Sequence, residues 1–299
     1  MREYYFKEVK SKQFSIYHTI YSKEDINMWF DWKMRLDETS LKENCYFVFL
    51  ENICIGGVII EDDEISNSFL IPPYNDRELF WKIVIDYIKR KSKLSCMHFA
   101  EMLKQDTEVL QNLGAKISEQ RNYMCRPTEN IEMNINKDFI LENVKEQDYE
   151  ELALVQIKAY RDSCITKYVI LNDKDELVSG LKEDIEAFKQ TNTYSMTSIV
   201  REKSTNKIVG GCISGRYDEA PNMFGCIFEL YVLSEYRKLG FGKAMVNNAL
   251  SVDFTNTPVI KLNAYIEDTP AISLYNKLGF ISGGIFTDLV LHFYNETRN

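Results

Sequence analysis

The chain has 299 residues, of which 45% are hydrophobic and 27% charged. That balance buries a real core in one large domain or two ordinary ones and excludes a disordered or fibrous protein. A net charge of −9 excludes a surface built to track a phosphate backbone and suits a positively charged ligand such as an amine.

No segment approaches eighteen uninterrupted apolar residues, so no spanning helix and no membrane partner are expected. The seven cysteines (45, 54, 96, 125, 164, 212, 226) are scattered without a CxxC pair, and the three histidines (18, 98, 292) lie far apart. Neither a zinc site nor a disulfide framework is expected, and Cys54, Cys212 and Cys226 read as small core residues. Reduced thiols, with no basic-then-apolar leader at residues 1–6, give the expectation of a cytoplasmic protein.

Along the chain, the first informative run is Asn52–Ile60, NICIGGVII, a β-branched strand pattern broken by Gly56-Gly57. Phe69–Tyr74, FLIPPY, ends a strand and leads into a helical pattern, and Leu113-Gly114-Ala115 closes a helix. The same three features recur in order: Gly210-Gly211 within Asn206–Ser214, then Tyr231–Tyr236, YVLSEY, then Leu278-Gly279-Phe280. The offsets are 210 − 56 = 154, 236 − 74 = 162 and 279 − 114 = 165. They rise slowly and in order, as two copies with small insertions would give.

A polar stretch from Arg126-Pro127 to Lys137 marks the expected boundary. Beyond it the pattern predicts a strand at 138–144, helices at 146–160 and 175–190, and strands at 195–202, 207–216 and 222–233. A helix at 240–251, a strand at 259–266, a helix at 270–278 and two closing strands at 280–285 and 288–295 complete the order. The expected fold class is α/β, an α+β mixed sheet in two tandem domains over 1–130 and 138–299.

The segment that carries chemistry is Glu229–Val232 followed by Arg237–Lys243, RKLGFGK. A strand ends, a turn with RxxGxG follows, and a helix starts at once. Such a turn places unpaired main-chain N–H groups at the positive end of a helix dipole. Gly240 and Gly242 let the backbone approach an anion, and Arg237 and Lys243 add positive charge. A glycine-bearing strand-to-helix turn is common, so this motif alone leaves phosphate binding undecided.

About thirty residues on stands Asp268-x-x-Ala271-x-x-Leu274-Tyr275-x-x-x-Gly279-Phe280. The strand–RxxGxG–helix segment followed by strand–[N/D]xxAxxLYxxxGF resembles the GCN5-related N-acetyltransferase (GNAT) superfamily, over roughly residues 138–299. The first half resembles that fold only through the repeat. The resemblance implies two acyl-CoA N-acyltransferase-like domains and acetyl-CoA as co-substrate, with no metal. It puts the pyrophosphate on Arg237, Lys238, Leu239, Gly240, Phe241, Gly242 and Lys243, and the pantetheine arm along Leu230, Tyr231 and Val232. Asp268 stands where the family usually has a cofactor-touching asparagine. Tyr275 matches a tyrosine near the thioester sulfur, and Glu229 a position that is acidic in some members.

An amine with a pKa near ~10 is only about one part in a thousand neutral at pH 7, so a base is needed. Glu229 fits that role directly or through water, and Tyr275 that of a general acid of modest worth, because a thiolate of pKa ~8.5 leaves tolerably well. Read from pattern alone, Glu229 is equally a solvent-facing strand residue and Tyr275 a packing residue. The expected acceptor is a primary amine of a small molecule or a protein N-terminus, with no nucleic acid as partner and a homodimer left open.

In the first half, aligning Tyr74 on Tyr236 sets Glu78 opposite Gly240 and Phe80 opposite Gly242. Acids and bulky side chains there repel an anion, so the first copy is expected not to bind acetyl-CoA. Trp29, Trp32, Tyr74 and Trp81 read as core residues or a stacking platform. The competing expectation for the whole chain is a non-catalytic acyl-CoA-binding or protein-interaction module that keeps the fold. A P-loop or Rossmann enzyme fails on pattern, since neither GxxxxGK[ST] nor a strand-linked GxGxxG occurs.

Overall fold

The computed structural model describes residues 3–22, 36–37, 39–92, 94–167, 173–217, 224–252 and 255–293. Trp29 and Trp32 lie outside them. The chain divides into two compact units, one of residues 1–121 with 284–299 and one of residues 122–283.

The first unit holds β1 (Tyr4–Glu8), α1 (Ser11–Tyr21), β2 (Cys45–Leu50), β3 (Ile53–Glu61), β4 (Glu64–Leu70), α2 (Arg77–Lys91), β5 (Cys96–Met102) and α3 (Lys104–Asn112). Antiparallel pairing runs from β1 through β4, and β4 pairs with β5 in parallel. The second unit repeats this plan. It holds β7 (Phe139–Glu142), α4 (Tyr149–Arg161), α5 (Lys174–Gln190), β8 (Ser198–Glu202), β9 (Ile208–Gly215), β10 (Gly225–Val232), α6 (Phe241–Ser251), β11 (Val259–Tyr265) and α7 (Thr269–Lys277). Again β7 to β10 are antiparallel and β10 pairs with β11 in parallel.

Two strands cross from one unit to the other, β6 (Lys116–Pro127) and β12 (Ile281–His292). The strand beside β5 is β12, and the strand beside β11 is β6. The two closing strands expected at 280–285 and 288–295 are therefore one strand. A bulge between Thr287 and Leu289 interrupts its pairing with β5, and that irregularity is what the sequence pattern registers as a break. Arg126 and Pro127, expected to open a linker, end β6 instead, a strand terminus that tolerates a residue without an N–H.

The repeat is visible in packing. A Cβ on Gly57 would lie 2.6 Å from the Phe69 ring and 2.9 Å from Phe14, and one on Gly211 would lie 2.9 Å from the Tyr231 hydroxyl and from Leu152. In each copy the second glycine makes room for an aromatic of the next strand beneath the first helix. Gly56 and Gly210 face the other way, where a Cβ would meet the carbonyl oxygen of Phe69 at 2.2 Å or of Tyr231 at 2.8 Å. Gly114 and Gly279, at φ 98° and 82°, end the equivalent helices α3 and α7.

The helices form for local reasons. In α2, Phe80, Trp81, Val84, Ile85 and Ile88 make one buried stripe, Asp76 caps the start and Lys89, Arg90 and Lys91 sit at the negative end. The stripe packs on Val48, Val58, Ile65 and Phe99 of its own sheet. In α6, Phe241, Met245, Val246, Ala249 and Leu250 pack on Val200, Val209, Ile227 and Ile260.

Candidate active site

β10 and β11 pair only at Gly225↔Ile260, Cys226↔Lys261 and Ile227↔Leu262. Beyond Ile227 the two strands part. The register of β10 against β9 shifts between Ile227 and Glu229, so Phe228 is the extra residue of a bulge. The edge of β10 from Glu229 to Val232 is thus free of β11 and open to another chain-like partner.

β10 runs into the turn 233–240, which contains a short 3-10 segment at Ser234–Tyr236. Arg237 organises that turn. Its guanidinium donates to the carbonyls of Val232 at 3.1 Å, Asp162 at 3.0 Å and Ala159 at 2.9 Å. The side chain therefore ties the strand end to the end of α4, rather than standing free beside an anion.

Lys238 takes φ 64° and Gly240 φ 87°. A Cβ on Gly240 would meet nothing within 4 Å, so glycine is needed there for backbone conformation, not for space. Gly240 is also the N-cap of α6 and offers no side-chain cap. The amides from Lys238 to Lys243 have no acceptor among the described residues, and the first helical bond is Ala244 N–H to the Gly240 carbonyl at 3.0 Å. Six donors without a partner among the described residues thus stand at the positive end of an 11-residue helix, an arrangement that suits an anion.

A groove of about 510 Å³ runs from this turn along β10. Leu230, Tyr231, Val232, Arg237, Lys238, Gly240, Phe241, Gly242, Lys243 and Asp268 of the expected cofactor residues all line it. Leu239 does not, and it is exposed. Asp268 caps α7 by accepting the Ala271 amide at 3.1 Å. Glu229 and Tyr275 lie outside the groove lining, but Tyr160, which does line it, donates its hydroxyl to Glu229 Oε2.

Burial pushes the Glu229 carboxyl up to about 7, the Tyr160 hydrogen bond pulls it down, and Asp184 raises it further. Tyr275, 5% exposed, is raised by burial and then by the nearby Cys212 thiol, so it stays a protonated phenol. Its ring stands edge-on to Phe280 at 5.6 Å. Asp184 on α5 accepts from the Tyr217 hydroxyl and is itself raised by burial.

Tyr160 and Asp184 were not singled out from the sequence. Tyr160 follows Leu152 by two helical turns on the same apolar face, and a phenol there carries a polar tip that pattern counting treats as one more apolar residue. Asn263 and Tyr265, both half-buried, share one face of β11.

At the equivalent place in the first unit, β4 and α2 are separated by six residues, 71–76, against eight, 233–240, between β10 and α6. The helix starts therefore set Asp76 opposite Gly240 and Glu78 opposite Gly242, two residues from the alignment on Tyr74. Arg77 Nη1 donates to both carboxylate oxygens of Asp106 at 2.8 Å, and the buried Trp81 indole donates to the same carboxylate at 2.7 Å. Trp81 is a core residue, not a platform.

Among the described residues no helix is long and apolar enough to cross a membrane, and no group of three or more His, Cys, Asp or Glu side chains could hold a metal.

Residues 158–280 match the acetyltransferase (GNAT) family. Comparison with curated proteins finds no match. Among solved structures, a GCN5-related N-acetyltransferase from Sphaerobacter thermophilus is similar at TM-score 0.69 and 12% identity, over 97% of this chain and 95% of that one. A GNAT-family acetyltransferase from Colwellia psychrerythraea gives 0.60 at 13% identity over 97% and 100%. A tandem GNAT protein from the clavulanic acid biosynthesis pathway gives 0.58 at 10% identity over 97% and 98%. At these identities the likeness shows the fold. Residues 158–280 thus match the acetyltransferase (GNAT) family, and the chain as a whole shares the fold of these GNAT structures.

Proposed function

We propose that the second unit transfers an acetyl group from acetyl-CoA to a primary amine, of a small molecule or a protein N-terminus, by direct attack of the amine on the thioester. The observation that supports this most is the run of amides from Lys238 to Lys243 without an acceptor among the described residues, in a turn that, Leu239 apart, lines one groove with the edge of β10 beyond its pairing with β11. A diphosphate suits the amides, and an extended amide-bearing arm suits the strand edge at Leu230–Val232. Acetyl-CoA, when bound, supplies the thioester carbonyl.

Glu229 is suited to take the amine's proton, because a base works best with a pKa near the working pH and burial holds this carboxyl at about 7. Glu229 and Asp184 also give the site a negative character that draws a cationic amine. Tyr275 is the general acid for the leaving thiolate on this reading, a role of small worth because burial makes its phenol proton hard to give up. The first unit takes no part in holding acetyl-CoA, since the Asp76 carboxylate already occupies the start of α2. The seven free cysteines agree with a reducing, cytoplasmic setting.

Asp268 in place of the family's asparagine favours a second account, a module that binds acyl-CoA without turnover. The two separate cleanly. Acetyl-CoA should raise the melting temperature of the full chain, and a panel of primary amines should release CoA thiol. A shift in melting without thiol release from any amine supports the second account, and no shift rejects both.

A further inference from the structure

The best unexplained feature of the site is the hydrogen bond between Tyr160, on the last turn of α4, and Glu229, at the bulge of β10. We propose that Tyr160 is a positioning residue for the base, its hydroxyl holding Oε2 of Glu229 so that Oε1 alone is left to take a proton from the acceptor amine. This rests on the transfer activity proposed above.

The bulge lifts Glu229 out of the strand's alternation, and a carboxylate on a three-bond stem would otherwise sample several orientations. Tyr160 is itself held. Its ring stands edge-on to Tyr231 at 5.9 Å and 63°, and its helix end is fastened by Arg237, whose guanidinium bonds the Ala159 and Asp162 carbonyls on either side of it. The turn that would grip the diphosphate and the residue that orients the base are therefore tied through one guanidinium. Among the described residues, Oε1 of Glu229 makes no hydrogen bond.

The other titratable groups that act on Glu229 are Asp184 on α5, Tyr231 on β10, Cys212 on β9 and Tyr275 on α7. All are acids, so none stabilises the carboxylate by positive charge. Tyr160 is held well above the ordinary phenol value by burial and by Glu229 itself, and so remains a donor throughout the working range. In the step, one N–H bond of the acceptor ammonium breaks and its electron pair stays on nitrogen. The proton forms an O–H bond with Oε1 and passes on to solvent.

Tyr160→Phe keeps the ring and removes the donor. In the full chain, the acid limb of the kcat/KM profile should move up by about one pH unit, with a roughly fivefold loss at pH 7 that is recovered by pH 9, while acetyl-CoA affinity stays within about twofold. A limb that does not move overturns the proposal, as a merely structural role would leave it in place. A readout without turnover separates this from the activity. The infrared carboxyl band lost in Glu229→Gln should titrate at higher pH in Tyr160→Phe than in the unaltered chain. If no amine is acetylated but this midpoint rises, the transfer activity fails and the Tyr160–Glu229 pair stands. If the midpoint is unchanged, the pair fails whatever the activity.

Discussion

The Asp76 carboxylate accepts the Leu79 amide at 3.0 Å, so the positive end of α2 is already neutralised by the chain's own anion. Gly240, at the matching position in the second copy, leaves the start of α6 open. On the proposed reading, the second copy therefore holds the diphosphate and the first does not. Isothermal titration of the full chain should give one acetyl-CoA per chain. Gly242→Asp, which sets a carboxylate in the first turn of α6, should weaken binding by about a hundredfold or more, equal to roughly 3 kcal/mol of lost contacts and repulsion. Two sites per chain, or an unaltered affinity in the variant, would count against this.

On the proposed reading, Glu229→Gln removes the base without changing shape. The thiol-release rate at pH 7 should fall by about 10²–10⁴, with acetyl-CoA affinity little altered. Stability should respond in the opposite sense. Because folding raises this carboxyl from its ordinary value to about 7, the folded state binds the extra proton, and stability is lost as pH rises from about 4.5 toward 7. The amide variant escapes that loss, so its melting temperature should exceed that of the unaltered chain at pH 8 and match it more closely at pH 4.5.

The Tyr231 hydroxyl is buried under Gly211 with no hydrogen-bond partner among the described residues, and the first copy has Phe69 in the same position over Gly57. Tyr231→Phe should be neutral or stabilising by up to about 1–3 kcal/mol, the desolvation cost of an unmet polar group. Gly211→Ala should destabilise, as its Cβ would press on both Tyr231 and Leu152. Chemical denaturation followed by far-ultraviolet circular dichroism checks both signs.

Leu289 of β12 is fully buried in the core of the first unit, where β12 pairs with β5 from Thr287↔Met102 to His292↔Cys96. Leu289→Ala should therefore destabilise the first unit by about 2–5 kcal/mol, although it lies near the end of the chain. All three tryptophans fall in the first half, and Trp81 sits in that same core. Tryptophan emission should report the early unfolding, while acetyl-CoA binding persists below that transition. A tryptophan transition that does not move would contradict the strand's place beside β5.

The parts of this structure governed by local rules were readable in advance. Gly56-Gly57 and Gly210-Gly211 announce close approach, Gly114 and Gly279 announce helix ends, and the RxxGxG turn announces an open helix start, because each is a demand on the backbone that glycine alone meets cheaply. What depends on long-range pairing was not readable. Nothing in the pattern of β12 says that its far end pairs with β5. Arg237 looked like a phosphate ligand, and only the fold shows three carbonyls converging on it. Tyr160 was hidden because a buried phenol and a buried phenyl look alike in an apolar stripe. The two-residue difference in turn length, which moves Asp76 rather than Glu78 onto Gly240, needed the observed helix starts.

The most direct test is a crystal structure of the chain grown with acetyl-CoA. The diphosphate should lie within hydrogen-bond distance of the amides between Lys238 and Lys243, with the pantetheine arm along Leu230–Val232 and the thioester toward Glu229 and Tyr275. A diphosphate bound at the start of α2, or acetyl-CoA held elsewhere with those six amides still unbonded, would contradict it.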